Sequence, residues 1–305
     1  MTNSPSTEQF TRLAKAGPLL REKFGRILHE RFKTLESSLS DEQDIMALVD
    51  FCVESLSEEG EAALGDDGRA CLDWLIAEPA FELSIKTLGY RPSSHDRWGE
   101  YFSNEIRRGL RNGNFTSSKA FSYASHASRY LRNVSSIAGA IGGYVSGAQH
   151  RAVLDGPVTI RRMKDLLLEF DQLVDVDWLP EVLREQLRYA VNTRSAMRYL
   201  SGPDILERPS SRRNDADLPV RLLASELLRI NYEFHRSFHK RAVFHLMGLS
   251  IIQKPLEMRT IERLAKIEMD AIREDVARRI ADRRGLDFGQ VLTTLKANKT
   301  LTFQP

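Results

Sequence analysis

His235 and His239 stand four residues apart, the spacing that puts two imidazoles on one face of a helix and lets them chelate a metal ion. Arg236, Lys240 and Arg241 crowd the same stretch with positive charge, which opposes a cation, and no carboxylate completes a His-Glu-x-x-His arrangement. His245, six residues further on, points away from the first two. Cys52 and Cys71 are the only cysteines and form no Cys-x-x-Cys pair, so neither a zinc knuckle nor a disulfide framework is encoded and a reducing compartment is expected. Ser-His-Asp, Cys-His, Walker and zinc-protease patterns are also lacking. The expectation is therefore no catalytic residue, no metal, no cofactor and a protein leaning away from enzyme chemistry.

Two short stretches resemble known arrangements. Ile280, Ala281, Gly285, Leu286 and Val291 are spaced as in a helix-turn-helix, where a small residue admits the second helix and a glycine makes the turn. The resemblance covers residues 276–296 and implies a first helix at 276–284 and a reading helix at 288–296. That helix and the tail after it would offer Gln290, Thr293, Thr294, Lys296, Asn298 and Lys299 to DNA. Arg284 replaces a residue that is normally apolar there, and Thr294 a larger aliphatic one. The alternative is an ordinary helix with a glycine C-cap and terminal cations favourably placed on its dipole. Separately, His95-Asp96 resembles the central pair of the HD-type metal hydrolases, with His29 as an earlier ligand and Asp165 as one of several later acids. That resemblance implies a metal-dependent hydrolase on an all-helical fold. The same residues also read as a loop leading into a helix cap.

Charge is segregated. The net is only +2 over 305 residues, yet residues 41–82 carry thirteen acids against the single base Arg69, and residues 91–134 carry eight bases against three acids. In the basic segment Arg97, Arg107, Arg108, Arg111, Lys119, Arg129 and Arg132 interleave with Trp98, Tyr101, Phe102, Phe115, Phe121, Tyr123 and Tyr130, a mixture that can neutralise phosphates and stack on bases. Helical spacing would instead bury Trp98, Tyr101 and Phe102, leaving a basic outer face that could dock the acidic segment within the chain or in a neighbouring copy. Ser135, Gly139, Gly143 and Gly147 recur at every fourth residue, as expected of a helix face built for close backbone packing.

The elements that must carry these residues are helices. Apolar residues return every three or four positions along most of the chain, which predicts an all-α, multi-helix globular protein of amphipathic and buried helices. Capping-box spacing at Ser6/Gln9 and Ser40/Gln43 marks helix starts. Gly17-Pro18, Gly65–Gly68 and Gly156-Pro157 predict breaks, and Val158–Ile160 is one of two short strand-like runs. The polar stretch 207–218 predicts a loop or linker between a helical domain at 1–206 and a second at 219–305. No apolar run spans a bilayer and no signal core opens the chain, so a cytoplasmic protein is expected. Together these features predict a non-enzymatic binding protein, first a DNA-associated regulator or adaptor working through basic helical surfaces. The alternatives are an assembly component whose acidic and basic segments pair between subunits, and an HD-type hydrolase. Nucleic acid and a protein partner, or self-association, are the expected partners.

Overall fold

Ser6 and Gln9 start the first helix by the reciprocal exchange that their spacing predicts. The Ser6 backbone N–H donates to Gln9 Oε1 at 2.8 Å, and the Gln9 N–H donates to Ser6 Oγ at 3.3 Å. The computed structural model describes residues 4–35, 42–90, 104, 117–200 and 215–297. It is all-helical among them: α1 (Thr7–Leu35), α2 (Glu42–Ala77), α3 (Pro79–Thr87), α4 (Ser117–Val145), α5 (Ala148–Val174), α6 (Glu181–Ala190), α7 (Thr193–Leu200), α8 (Leu218–His235), α9 (Lys240–Leu246), α10 (Met258–Arg284) and α11 (Phe288–Ala297).

The centre of the molecule is the crossing of α1 and α4. A Cβ on Gly17 would come within 2.5 Å of the Gly139 Cα, and one on Gly142 within 2.6 Å of both the Ala14 nitrogen and the Phe10 carbonyl oxygen. Backbone atoms cannot give way as flexible side chains do, so only glycine fits and the two helices meet backbone to backbone. Around the crossing, Phe10, Leu13, Leu20 and Phe24 of α1 and Leu131, Val134, Ile137 and Ile141 of α4 are almost wholly buried. The same core takes in Leu72 and Leu75 of α2, Phe81 and Ile85 of α3, Leu223 and Leu227 of α8, Val243 of α9 and Ile261 of α10. It therefore draws on both sides of the 207–218 stretch, of which residues 207–214 lie outside the described part.

Several expected breaks are absorbed. α1 runs through Pro18, whose Cδ would stand 3.3 Å from a Cβ on Gly139, so the missing side chain on α4 makes room for the ring. α5 runs through Gly156-Pro157 and takes in Val158–Ile160 as helix. The helical repeat there outlasts the hydrogen bond that proline removes. Gly65 does break α2, with φ 60° and ψ −177°. Gly147, at φ 71°, separates α4 from α5 in the left-handed region that glycine tolerates best. Among the described residues no helix is long and apolar enough to cross a membrane.

Candidate interaction surface

α5, α6 and α7 leave the core behind. From residue 148 to 200, Val174 is the one residue among those described that is fully buried. Of seventeen large apolar side chains left exposed among the described residues, eleven lie between Leu154 and Val191, including Trp178 at 80% and Tyr189 at 92% exposure. The face of α5 that looks back on the chain carries the half-buried Val153, Ile160, Leu167 and Phe170 together with Val174. Polar ties hold the arm to itself: the Thr193 hydroxyl donates to Asp171 Oδ1 at 2.7 Å, Arg188 pairs with Asp175, and Arg184 with Glu181 at 2.8 Å. The opposite face holds Leu154, Val158, Arg161, Asp165, Leu168 and Gln172, all exposed, at steps of four, three, four, three and four. Heptad spacing is the sequence signal for this seam. The signal is ambiguous because both faces of α5 are apolar, and sequence does not say which one the chain covers.

The C-terminal bihelical element is present. Ala277 and Ala281 are buried in α10, Gly285 takes φ 63°, and the N–H groups of Gly285 and Leu286 both donate to the Ala281 carbonyl. Asp287 caps α11 by accepting from the Gln290 N–H at 2.9 Å. Val291, Leu292 and Leu295 are half-buried, whereas Gln290, Thr293, Thr294 and Lys296 are exposed. The Thr293 and Thr294 hydroxyls donate to the carbonyls of Gly289 and Gln290, so their donors are spent within the helix. Arg107, Arg108, Arg111, Asn298 and Lys299 lie outside the described residues, as do His95 and Asp96.

No family model, curated protein or solved structure matches this chain.

The histidines belong to a packed polar cluster between α3, α4 and α8. The Asn133 amide donates to His235 Nε2 at 2.7 Å, the Tyr90 ring packs at a tilt against Tyr130 and His235 with centroids 5.1 and 5.5 Å away, and the His235 and His239 ring centroids lie 4.8 Å apart. Burial pushes the Tyr90 phenol up to about 12, against the opposing pull of Arg129 and the Asn133 hydrogen bond. Burial likewise holds the His239 imidazole below its ordinary value. Arg236 and His239 both adopt positive φ, at 55° and 41°, which ends α8 and turns the chain into α9. Beside them the Arg21 and Arg132 guanidinium groups each sit 5.5 Å from the Phe234 ring, and Arg21 pairs with Glu233. Burial and then Arg21 lower the Arg132 guanidinium, while Glu233 opposes them. With His235 engaged by an amide, the cluster serves packing. No group of three His, Cys, Asp or Glu among the described residues is arranged to hold a metal.

The glycines of the every-fourth-residue series take different places. Gly139 lies at the α1 crossing, a Cβ on Gly143 would meet the Gln149 side chain at 3.2 Å, and Gly147 ends α4. Along the acidic segment, Asp50, Glu54 and Glu58 line one exposed ridge of α2, with Asp66 and Asp67 beyond it.

Proposed function

We propose that this protein is a non-enzymatic binding protein that assembles into a homo-oligomer through the arm formed by α5, α6 and α7. The observation that carries this reading is the concentration of exposed apolar side chains on that arm, eleven of seventeen among the described residues. Each square ångström of apolar surface removed from water is worth about 25 cal/mol, and monomeric proteins rarely expose a contiguous apolar patch beyond a few hundred Å². The acidic ridge at Asp50, Glu54 and Glu58 offers such an assembly a second, electrostatic contact, with the basic 91–134 segment as its counterpart. A cytoplasmic setting accords with this reading, since the free and buried Cys71 stays reduced there. Light scattering on the full chain tests it. The expected mass is a multiple of 34.7 kDa that falls to the single-chain value in a Trp178→Ser/Tyr189→Ser variant. A wild-type chain that scatters as a monomer at high micromolar concentration contradicts it.

A second reading, a DNA-associated regulator, is favoured by the exposure of α11. Gln290, Thr293, Thr294 and Lys296 all face solvent, and an oligomer would carry one such helix per copy, as two-fold DNA readers do. Retention on duplex DNA that weakens with salt, and weakens further in Lys296→Ala, supports it. Absence of retention at low salt removes it.

A further inference from the structure

Resting on the assembly reading, we infer that the partner of α5 is a second copy of α5, lying antiparallel across a two-fold axis that crosses the seam between Arg161 and Asp165, level with position 163. The exposed seam Leu154, Val158, Arg161, Asp165, Leu168, Gln172 is self-complementary under that operation. Reversed and centred on position 163, it sets Val158 against Leu168, Arg161 against Asp165 and Leu154 against Gln172, each pairing occurring twice. An isologous interface requires this reciprocity, since residue i must meet residue j wherever j meets i. The steps of four and three are those of a coiled-coil seam, in which antiparallel helices interdigitate along alternate positions.

Charge selects the direction. Among the described residues neither Arg161 nor Asp165 has an ion-pair partner, although they lie four apart on one helix and could pair there. In a parallel pair Arg161 would face Arg161 and Asp165 would face Asp165. The antiparallel pair converts both repulsions into attractions. Arg162, exposed, and Lys164, half-buried, flank the seam, where salt screens the repulsion between copies. At about 1.5 Å per residue the 27-residue α5 offers roughly 40 Å of helix, long enough for the whole seam to engage.

Charge exchange on the full chain tests the arrangement by sedimentation equilibrium. Arg161→Asp and Asp165→Arg each set like charges across the seam twice and are expected to weaken self-association by about tenfold or more. Mixed in equal amounts, the two variants regain a heterodimer. The aspartate introduced at position 161 of one then faces the arginine introduced at position 165 of the other, and the unchanged Asp165 of the first faces the unchanged Arg161 of the second. Leu168→Glu, which places a carboxylate against Val158, should weaken association and, mixed with either variant, should give a dimer no tighter than midway between the two homodimers. All three positions are exposed, so circular dichroism should match wild type. If the wild-type chain associates, and Trp178→Ser/Tyr189→Ser breaks it, but the charge variants do not respond, the antiparallel pairing is wrong and the assembly reading stands. If the wild-type chain is monomeric, both fall.

Discussion

The α1–α4 crossing and the α5–α7 arm are built from similar helices and put to opposite use. At the crossing, Gly17, Gly139 and Gly142 strip the side chains away so that two backbones touch, and the apolar residues that surround them are buried. On the arm apolar residues are again frequent, yet Trp178, Tyr189, Val182 and Leu173 stay mostly in water. Hydrophobic content therefore does not distinguish core from exposed arm in this chain. What distinguishes them is whether small residues let a second helix of the same chain approach.

The largest effect should come from filling the crossing. Gly142→Val places carbon atoms against the Ala14 nitrogen and the Phe10 carbonyl, and is expected to destabilise by about 3 kcal/mol or more in a denaturant titration. A value near zero would mean that the helices do not touch there.

Next comes the pair that ties α8 to α10. Glu268 is wholly buried and is held by Arg229, itself about a third exposed. Arg229→Ala strands the carboxylate and should cost about 2 kcal/mol, discounted for the solvent that reaches the guanidinium. Arg279→Ala, which breaks the exposed pair with Asp275, should change stability by less than about 0.5 kcal/mol.

Alkaline pH separates the regions in another way. Burial raises the Cys71 thiol and the Tyr90 phenol to about 12, from ordinary values of 9.0 and 10.0. Both are neutral in the fold and ionise first in the unfolded chain. The stability they contribute is therefore complete below about pH 9 and is lost as pH rises from there toward about 12. Tyr90→Phe should flatten that loss above about pH 10, and an unchanged profile would contradict the packing of Tyr90 against Tyr130.

The smallest effect on stability belongs to the arm. At concentrations low enough to keep the chain a monomer, Trp178→Ser and Tyr189→Ser touch little of it and should alter its unfolding free energy by no more than about 0.5 kcal/mol. A loss of several kcal/mol would show that the chain itself covers them.

The fold is legible in the sequence where its causes are local. Ser6 and Gln9 announce a helix start because both partners of the capping exchange lie within four residues. Pro18 and Gly156-Pro157 mislead because proline is judged locally, whereas the helix through Pro18 is sustained by the Gly139 gap on another element. Four-residue steps also drift around a helix, since about 3.6 residues make a turn. Gly139 and Gly142 meet α1, while Gly143 rotates off that line and Gly147 lies beyond the end of the helix. The exposed face of α5 is hidden for a related reason: Val153, Ile160 and Leu167 are as apolar as Leu154, Val158 and Leu168, and only the folded chain decides which set it keeps.

Antiparallel pairing of α5 is tested most directly by the mass of the full chain in solution, measured by light scattering alongside an equal mixture of Arg161→Asp and Asp165→Arg. The wild type should show about twice 34.7 kDa, each variant alone a lower mass, and the mixture a recovered dimer. A wild-type mass of 34.7 kDa that does not rise with concentration would contradict that pairing.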